Sequence, residues 1–139
     1  AFSPNVIYNL IEVAVQENPD LGGRKIELIE VAMELFPDQP ALKLTRGSFL
    51  LQDEKYEEAL QDFDEAMASE SFSNILANRK RILAGMIECQ QALGMEAELV
   101  DSQARLALIE EMLANRQKQL VEELEKEPER DVAADPNAN

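Results

Sequence analysis

What most restricts the fold of this 139-residue chain is where its helix breakers fall: prolines stand at 4, 19, 37, 40, 128 and 136, and Gly22, Gly23 and Gly94 mark further turns. Between these points run stretches rich in Ala, Leu, Glu, Gln, Met and Lys, all residues that cost little in a helix. Their apolar side chains return every three or four positions, the period of one helical face. The expected fold class is therefore all-α.

Ser3 is placed to cap a first helix with Pro4 as its first residue, and Val6, Ile7, Leu10, Ile11, Ala14 and Val15 make its apolar face until Asn18-Pro19 stops it. A turn over Asp20 to Gly23 leads to a second helix marked by Ile26, Ile29, Met33 and Phe36 and ended by Pro37. The third helix starts between Asp38 and Pro40, and the fourth, with Asp53 as its expected cap, carries Tyr56, Ala59, Leu60, Phe63, Ala66 and Met67 on one side. Ser71 or Ser73 is expected to cap a fifth helix that ends on Gly94 in a left-handed C-cap. The sixth runs from about Met95 to about Lys126, longer than any before it. Residues 128–139 are charged and nearly without apolar mass, so an acidic, disordered tail is expected there.

Helix pairs recurring at a fixed period indicate a stacked array rather than a closed bundle. Ala32 and Ala66, and Ile29 and Phe63, are each 34 positions apart. With Gly47, Tyr56, Ala59, Phe63 and Ala66, residues 40–71 resemble a tetratricopeptide repeat, and KYEEALQDFDEAM is similar to the second helix of that family. Residues 5–39 resemble a weaker copy, while residues 74–107 share only its length and helix order. Arg46 and Lys25 depart from the pattern, standing where the family prefers Leu and Ala; their stems are expected to be buried and their heads to reach solvent. The resemblance implies a tetratricopeptide-like right-handed superhelix of three helical hairpins with an extended C-terminal helix, forming a helical-repeat domain over residues 1–127.

It also implies that first helices line a concave groove that docks a peptide or a helix. From the best-phased repeat the inward positions are Ala41, Leu44, Ser48 and Leu51; adding 34 gives Ile75, Asn78, Ile82 and Gly85, with Arg79 adjacent. The expected groove is mostly apolar, fixed by Ser48, Asn78 and Arg79, although the same stripe also reads as packing between helices. The Lys, Arg and Asn clamp with which some relatives hold a chaperone's C-terminal carboxylate is mostly missing: the matching places hold Leu10 and Ala14 (or Asn9 and Val13), Thr45, Ile75 and Arg79. The basic run Arg79-Lys80-Arg81 reads either as a site for an acidic partner segment, with Lys43, or as internal pairing with nearby carboxylates.

Charge and composition narrow the chemistry. With 28 acidic against 13 basic side chains the net charge is −15, which disfavours nucleic acid and anionic lipid and favours basic or neutral protein partners. There is no histidine and one cysteine, so His-based catalysis, disulfides and most metal sites fall away. Cys89 reads as a buried structural thiol. Glu57-Glu58, Glu110-Glu111 and Glu122-Glu123 are adjacent helical pairs that share no face, as acid–base work would require, and read as solvated surface. No catalytic residue, cofactor or metal is expected, and no membrane insertion. The first residues, AFSPNV, lack a signal-peptide pattern, so the expected compartment is the cytoplasm; the absent initiator Met leaves a processed or exported form, or an excised domain, open.

The expected function is a non-catalytic adaptor or scaffold binding a protein or peptide segment. The alternatives are a small chaperone shielding an apolar client segment and an oligomerisation domain. The last rests on Leu120 and Leu124, through which two copies would pair as a homodimer, although Arg116 and Gln117 interrupt that seam.

Overall fold

A computed structural model gives the structure over residues 3–126, and the expected tail at 128–139 lies outside them. The helices are α1 (Pro4–Glu17), α2 (Lys25–Leu35), α3 (Pro40–Gln52), α4 (Tyr56–Ala68), α5 (Glu70–Ser73), α6 (Leu76–Leu93) and α7 (Glu96–Glu125); a 3₁₀ turn over Pro19–Arg24 links α1 to α2. Among the described residues there is no strand. Pro4 and Pro40 each open a helix, where a missing N–H costs nothing. Gly94 ends α6 with φ +69°, the left-handed conformation that glycine adopts without penalty.

Ser3 stands at the N-cap of α1 but makes no side-chain cap hydrogen bond, and two other expected caps are displaced. Asp53 closes α3 instead of opening α4, because Glu54 takes a left-handed φ of 59° and Lys55 becomes the residue before α4. Neither Ser71 nor Ser73 caps a long helix: both lie in the single turn α5, and Ile75 precedes α6. The expected fifth and sixth helices are thus α6 and α7.

The chain packs outward from α3 and α4. α1 and α2 rest on α3, α4 packs against both α3 and α6, α6 also touches α3, and α7 covers α6. One core cluster gathers Leu44, Leu50, Ala59, Phe63, Ala66, Ile82 and Cys89; a second, toward α1 and α2, gathers Ile29, Leu42 and Phe49. The Phe63 ring fills the space where α3 and α6 approach α4, and both partners are glycines, Gly47 and Gly85.

The two basic departures are held differently from expectation. Arg46 is only partly exposed and its head is held by a carboxylate: Nε and Nη2 donate to Asp62 Oδ2 and Oδ1 at 2.8 and 2.7 Å, and Asp62 is buried. A fork of this kind satisfies the carboxylate on both oxygens. Lys25 Nζ donates to Glu12 at 2.6 Å and stands 5.5 Å over the Phe49 ring, on which Tyr8 also stacks at 5.2 Å.

Candidate functional site

The residues expected to line a groove do not share an open surface. Ala41, Leu44 and Ile82 are 1%, 1% and 0% exposed, and the last two meet in the same core cluster. The reason is that α3 has neighbours on several sides, leaving its apolar side chains no solvent-facing stripe. Ser48 donates its hydroxyl to the Leu44 carbonyl at 2.9 Å, and Leu51 packs half-buried on the core. Asn78 donates to the Phe72 carbonyl at 3.1 Å, fastening α6 to α5. Arg81 donates to Asn5, joining α1 to α6, the two helices that flank α3.

What the structure opens instead is a pair of clefts in matching places. The first, about 270 Å³, is walled by Ile26 and Glu30 of α2 and by Glu58, Gln61 and Asp62 of α4, over Arg46 and Leu50 of α3, with Lys55 at its end. The second, about 390 Å³, is walled by Leu60 and Asp64 of α4 and by Glu98, Asp101 and Ser102 of α7, over Met86 and Gln90 of α6, with Met95, Ala97 and Arg105. Leu60 and Asp64 follow Ile26 and Glu30 by 34 positions. The other equivalent pairs, Arg46 and Met86, Leu50 and Gln90, Lys55 and Met95, Glu58 and Glu98, Gln61 and Asp101, Asp62 and Ser102, are all 40 apart. The longer connection that holds α5 and the greater length of α6 together add the difference. An offset of 34 therefore misplaces α6, and this explains why Asn78, Arg79 and Ile82 do not fall where the first-helix positions of α3 do.

The clefts differ in charge. Arg46 and Asp62 neutralise each other in the first; their counterparts Met86 and Ser102 carry no charge. In the second cleft Asp101 pairs with Arg105 at 3.0 Å, whereas Asp64 and Glu98 have no ion-pair partner among the described residues. Desolvation by the surrounding side chains raises the Asp64 carboxyl from its ordinary value. Gln90 is buried, and its Oε1 accepts no hydrogen bond. Leu60, Met86 and Met95 supply apolar wall beside these acceptors.

Beyond Arg105 lies an apolar trough of about 300 Å³, made by Met67 of α4, Leu76, Arg79 and Leu83 of α6, and Leu108, Ile109 and Met112 of α7. Here Arg79, expected as a groove residue, has its Nε buried without an acceptor. None of the cleft residues Asp64, Met86, Gln90, Glu98 or Ser102 stands out in the sequence, because their relation to α3 and α4 emerges only once the six added positions are known.

Among the described residues no group of three or more Cys, Asp or Glu is arranged to hold a metal ion, and no helix is long and apolar enough to cross a membrane. No family model matches the chain, and no curated protein or solved structure is significantly similar to it.

Proposed function

We propose that the protein is a non-catalytic adaptor of tetratricopeptide-like build that docks a partner segment carrying a lysine or arginine between apolar residues, seated in the cleft between α4, α6 and α7. The neighbour order supports the array: each hairpin rests on the first helix of the next. Phe63 wedged between Gly47 and Gly85, with Ala59 and Ala66 fully buried beside it, agrees with the same build.

The observation that carries the binding reading is the change from the first cleft to the second. Met86 and Ser102 stand where the first cleft has the Arg46–Asp62 pair, the cleft's cation Arg105 is held by Asp101, and Asp64 and Glu98 have no ion-pair partner among the described residues. A long basic side chain fits this lining: its methylenes lie on Leu60, Met86 and Met95 while its head meets the carboxylates. The net charge of −15 draws such a partner in from a distance.

Selection of random displayed peptides on the immobilised protein tests this. Recovered sequences should be enriched in Lys or Arg flanked by apolar residues, and Asp64→Lys and Glu98→Lys, both at exposed positions, should lose them. Recovery of no peptide, or of peptides indifferent to both substitutions, overturns the reading.

A further inference from the structure

The acidic cleft and the apolar trough lie end to end. Their floor on α6 is Leu76, Arg79, Leu83, Met86 and Gln90, spaced by three or four positions and therefore in one line along the helix. One wall runs along α4 as Leu60, Asp64 and Met67. The other runs along α7 from Glu98 through Arg105, which borders both, to Met112. At the helical rise this stretch of α7 is about 21 Å long.

Two ion pairs tie the floor to the wall in the preceding hairpin: Arg46–Asp62 and Lys43–Glu65 each join α3 to α4. The residues 40 positions later are Met86 and Ser102, and Leu83 and Arg105, so neither pair remains. α4 ends at Ala68, the counterpart of Leu108, whereas α7 runs on and adds Met112 to the wall.

We propose that cleft and trough form a single groove for an amphipathic helix of about four turns on a partner protein, with a basic residue at the Asp64 end and an acidic residue at the Arg79 end. This rests on the cleft reading above and extends it from one side chain to a whole segment. The walls favour a helical occupant. α4, α6 and α7 pair their backbone groups within themselves, so an extended segment would leave its own N–H and C=O groups without partners over apolar side chains, while a helix brings them already paired.

Charge selects the chemistry. Asp64 and Glu98 stand at one end without ion-pair partners among the described residues; at the other, Arg79 enters no ion pair there and its buried Nε lacks an acceptor. Between them Met67, Leu83, Leu108 and Met112 offer apolar contact, and Leu108 and Met112 are 58% and 46% exposed. Arg105 is engaged by Asp101 at 3.0 Å. The two charged ends lie about three helical turns apart along α7, so the partner's charged residues fall about 11 positions apart, with apolar residues near the fourth and seventh.

A displayed library of Ala-rich helical peptides of about 17 residues, randomised at i, i+4, i+7 and i+11, tests this on the full chain. Selection should enrich Asp or Glu at one end position, Lys or Arg at the other, and large apolar residues at the two between. Selection on Arg79→Glu should turn the acidic position basic and leave the others unchanged. Leu108→Lys, Met112→Lys and Asp64→Lys should each weaken a selected peptide by about tenfold or more. Sensitivity to Asp64→Lys with indifference to the Arg79, Leu108 and Met112 changes overturns the groove and leaves the cleft reading standing. Indifference to Asp64→Lys overturns both. A bound peptide that gains no helicity by circular dichroism is an extended occupant and also overturns the groove. Recovery of no helical peptide does the same, whether the groove is empty or, as a sedimenting mass of two chains would show, filled by a second copy.

Discussion

A methyl group placed on Gly85 would lie 2.4 Å from Cζ of Phe63, closer than any real side-chain contact. In a solvent-facing helix, Gly→Ala gains up to about 1 kcal/mol from backbone entropy. Here the ring is fully enclosed and cannot withdraw, so overpacking reverses the sign. Gly85→Ala is expected to destabilise the protein by about 1–3 kcal/mol in urea unfolding. Gly47→Ala, where the approach is 2.9 Å, should cost less. Phe63→Leu should relieve part of the Gly85→Ala defect.

Two ion pairs of similar geometry should contribute very differently. Arg46–Asp62 has one fully buried member, whereas Lys43–Glu65, at 3.0 Å, has side chains 34% and 41% exposed. Arg46→Met leaves a carboxylate buried without a cation and is expected to cost about 3–5 kcal/mol. Asp62→Asn should cost less, since the guanidinium still reaches solvent. The double change Arg46→Met/Asp62→Ser installs the residues found 40 positions later and should recover most of the loss. Glu65→Gln should move stability by less than about 1 kcal/mol, although Lys43 lowers the Glu65 pKa through a hydrogen bond, because solvent screens the pair.

Burial pushes the Cys89 thiol up to about 11, with Glu88 and Asp64 adding repulsion. Native protein at pH 8 should therefore react with a thiol reagent only as fast as it opens, and quickly once denatured. The same shift links stability to alkaline pH. An unfolded chain releases this proton near pH 9 while the folded one keeps it to about 11, so the thiol's contribution is intact below 9 and is lost as pH rises toward 11. Cys89→Ala should lack that part of the alkaline slope, whatever it costs at neutral pH.

Helix ends were legible because their signals are local: Pro4, Pro37, Pro40 and Gly94 act within one turn of themselves. The Gly47, Ala59, Phe63 and Ala66 constellation was legible as packing only through its resemblance to a repeat pattern, since Gly47 and Phe63 lie on different helices. Leu44 and Ile82 were misplaced because a helical apolar stripe looks identical whether a neighbouring helix or a ligand covers it. The acidic cleft stayed hidden because α5, four residues that pass for a capping segment, and the longer α6 together shift the equivalent positions by six. Asp62 gave no hint of its partner, since Arg46 sits sixteen positions away on another helix.

Stability should be graded along the chain, and hydrogen exchange can read the gradient. α3, α4 and α6 share the cluster around Phe63 and have packed neighbours on several sides. α1 buries only Pro4 completely and α2 only Ile29; Val6, Leu10 and Val13 on α1 and Val31 and Leu35 on α2 face solvent. Much of what holds α1 in place converges on Phe49: Tyr8 stacks on its ring, Gln52 donates to the Tyr8 hydroxyl at 2.7 Å, and Lys25 over the same ring pairs with Glu12. Local opening needs only the contacts of the segment that opens. Amides of α1 and α2 should therefore exchange before those of α3, α4 and α6 at a given time. Tyr8→Ala should speed exchange in α1 and leave α6 unchanged, because Tyr8 belongs to the cluster that does not contain α6. Uniform exchange across all helices would mean that the hairpins open as one unit and that the Phe49 cluster is as firm as the Phe63 cluster.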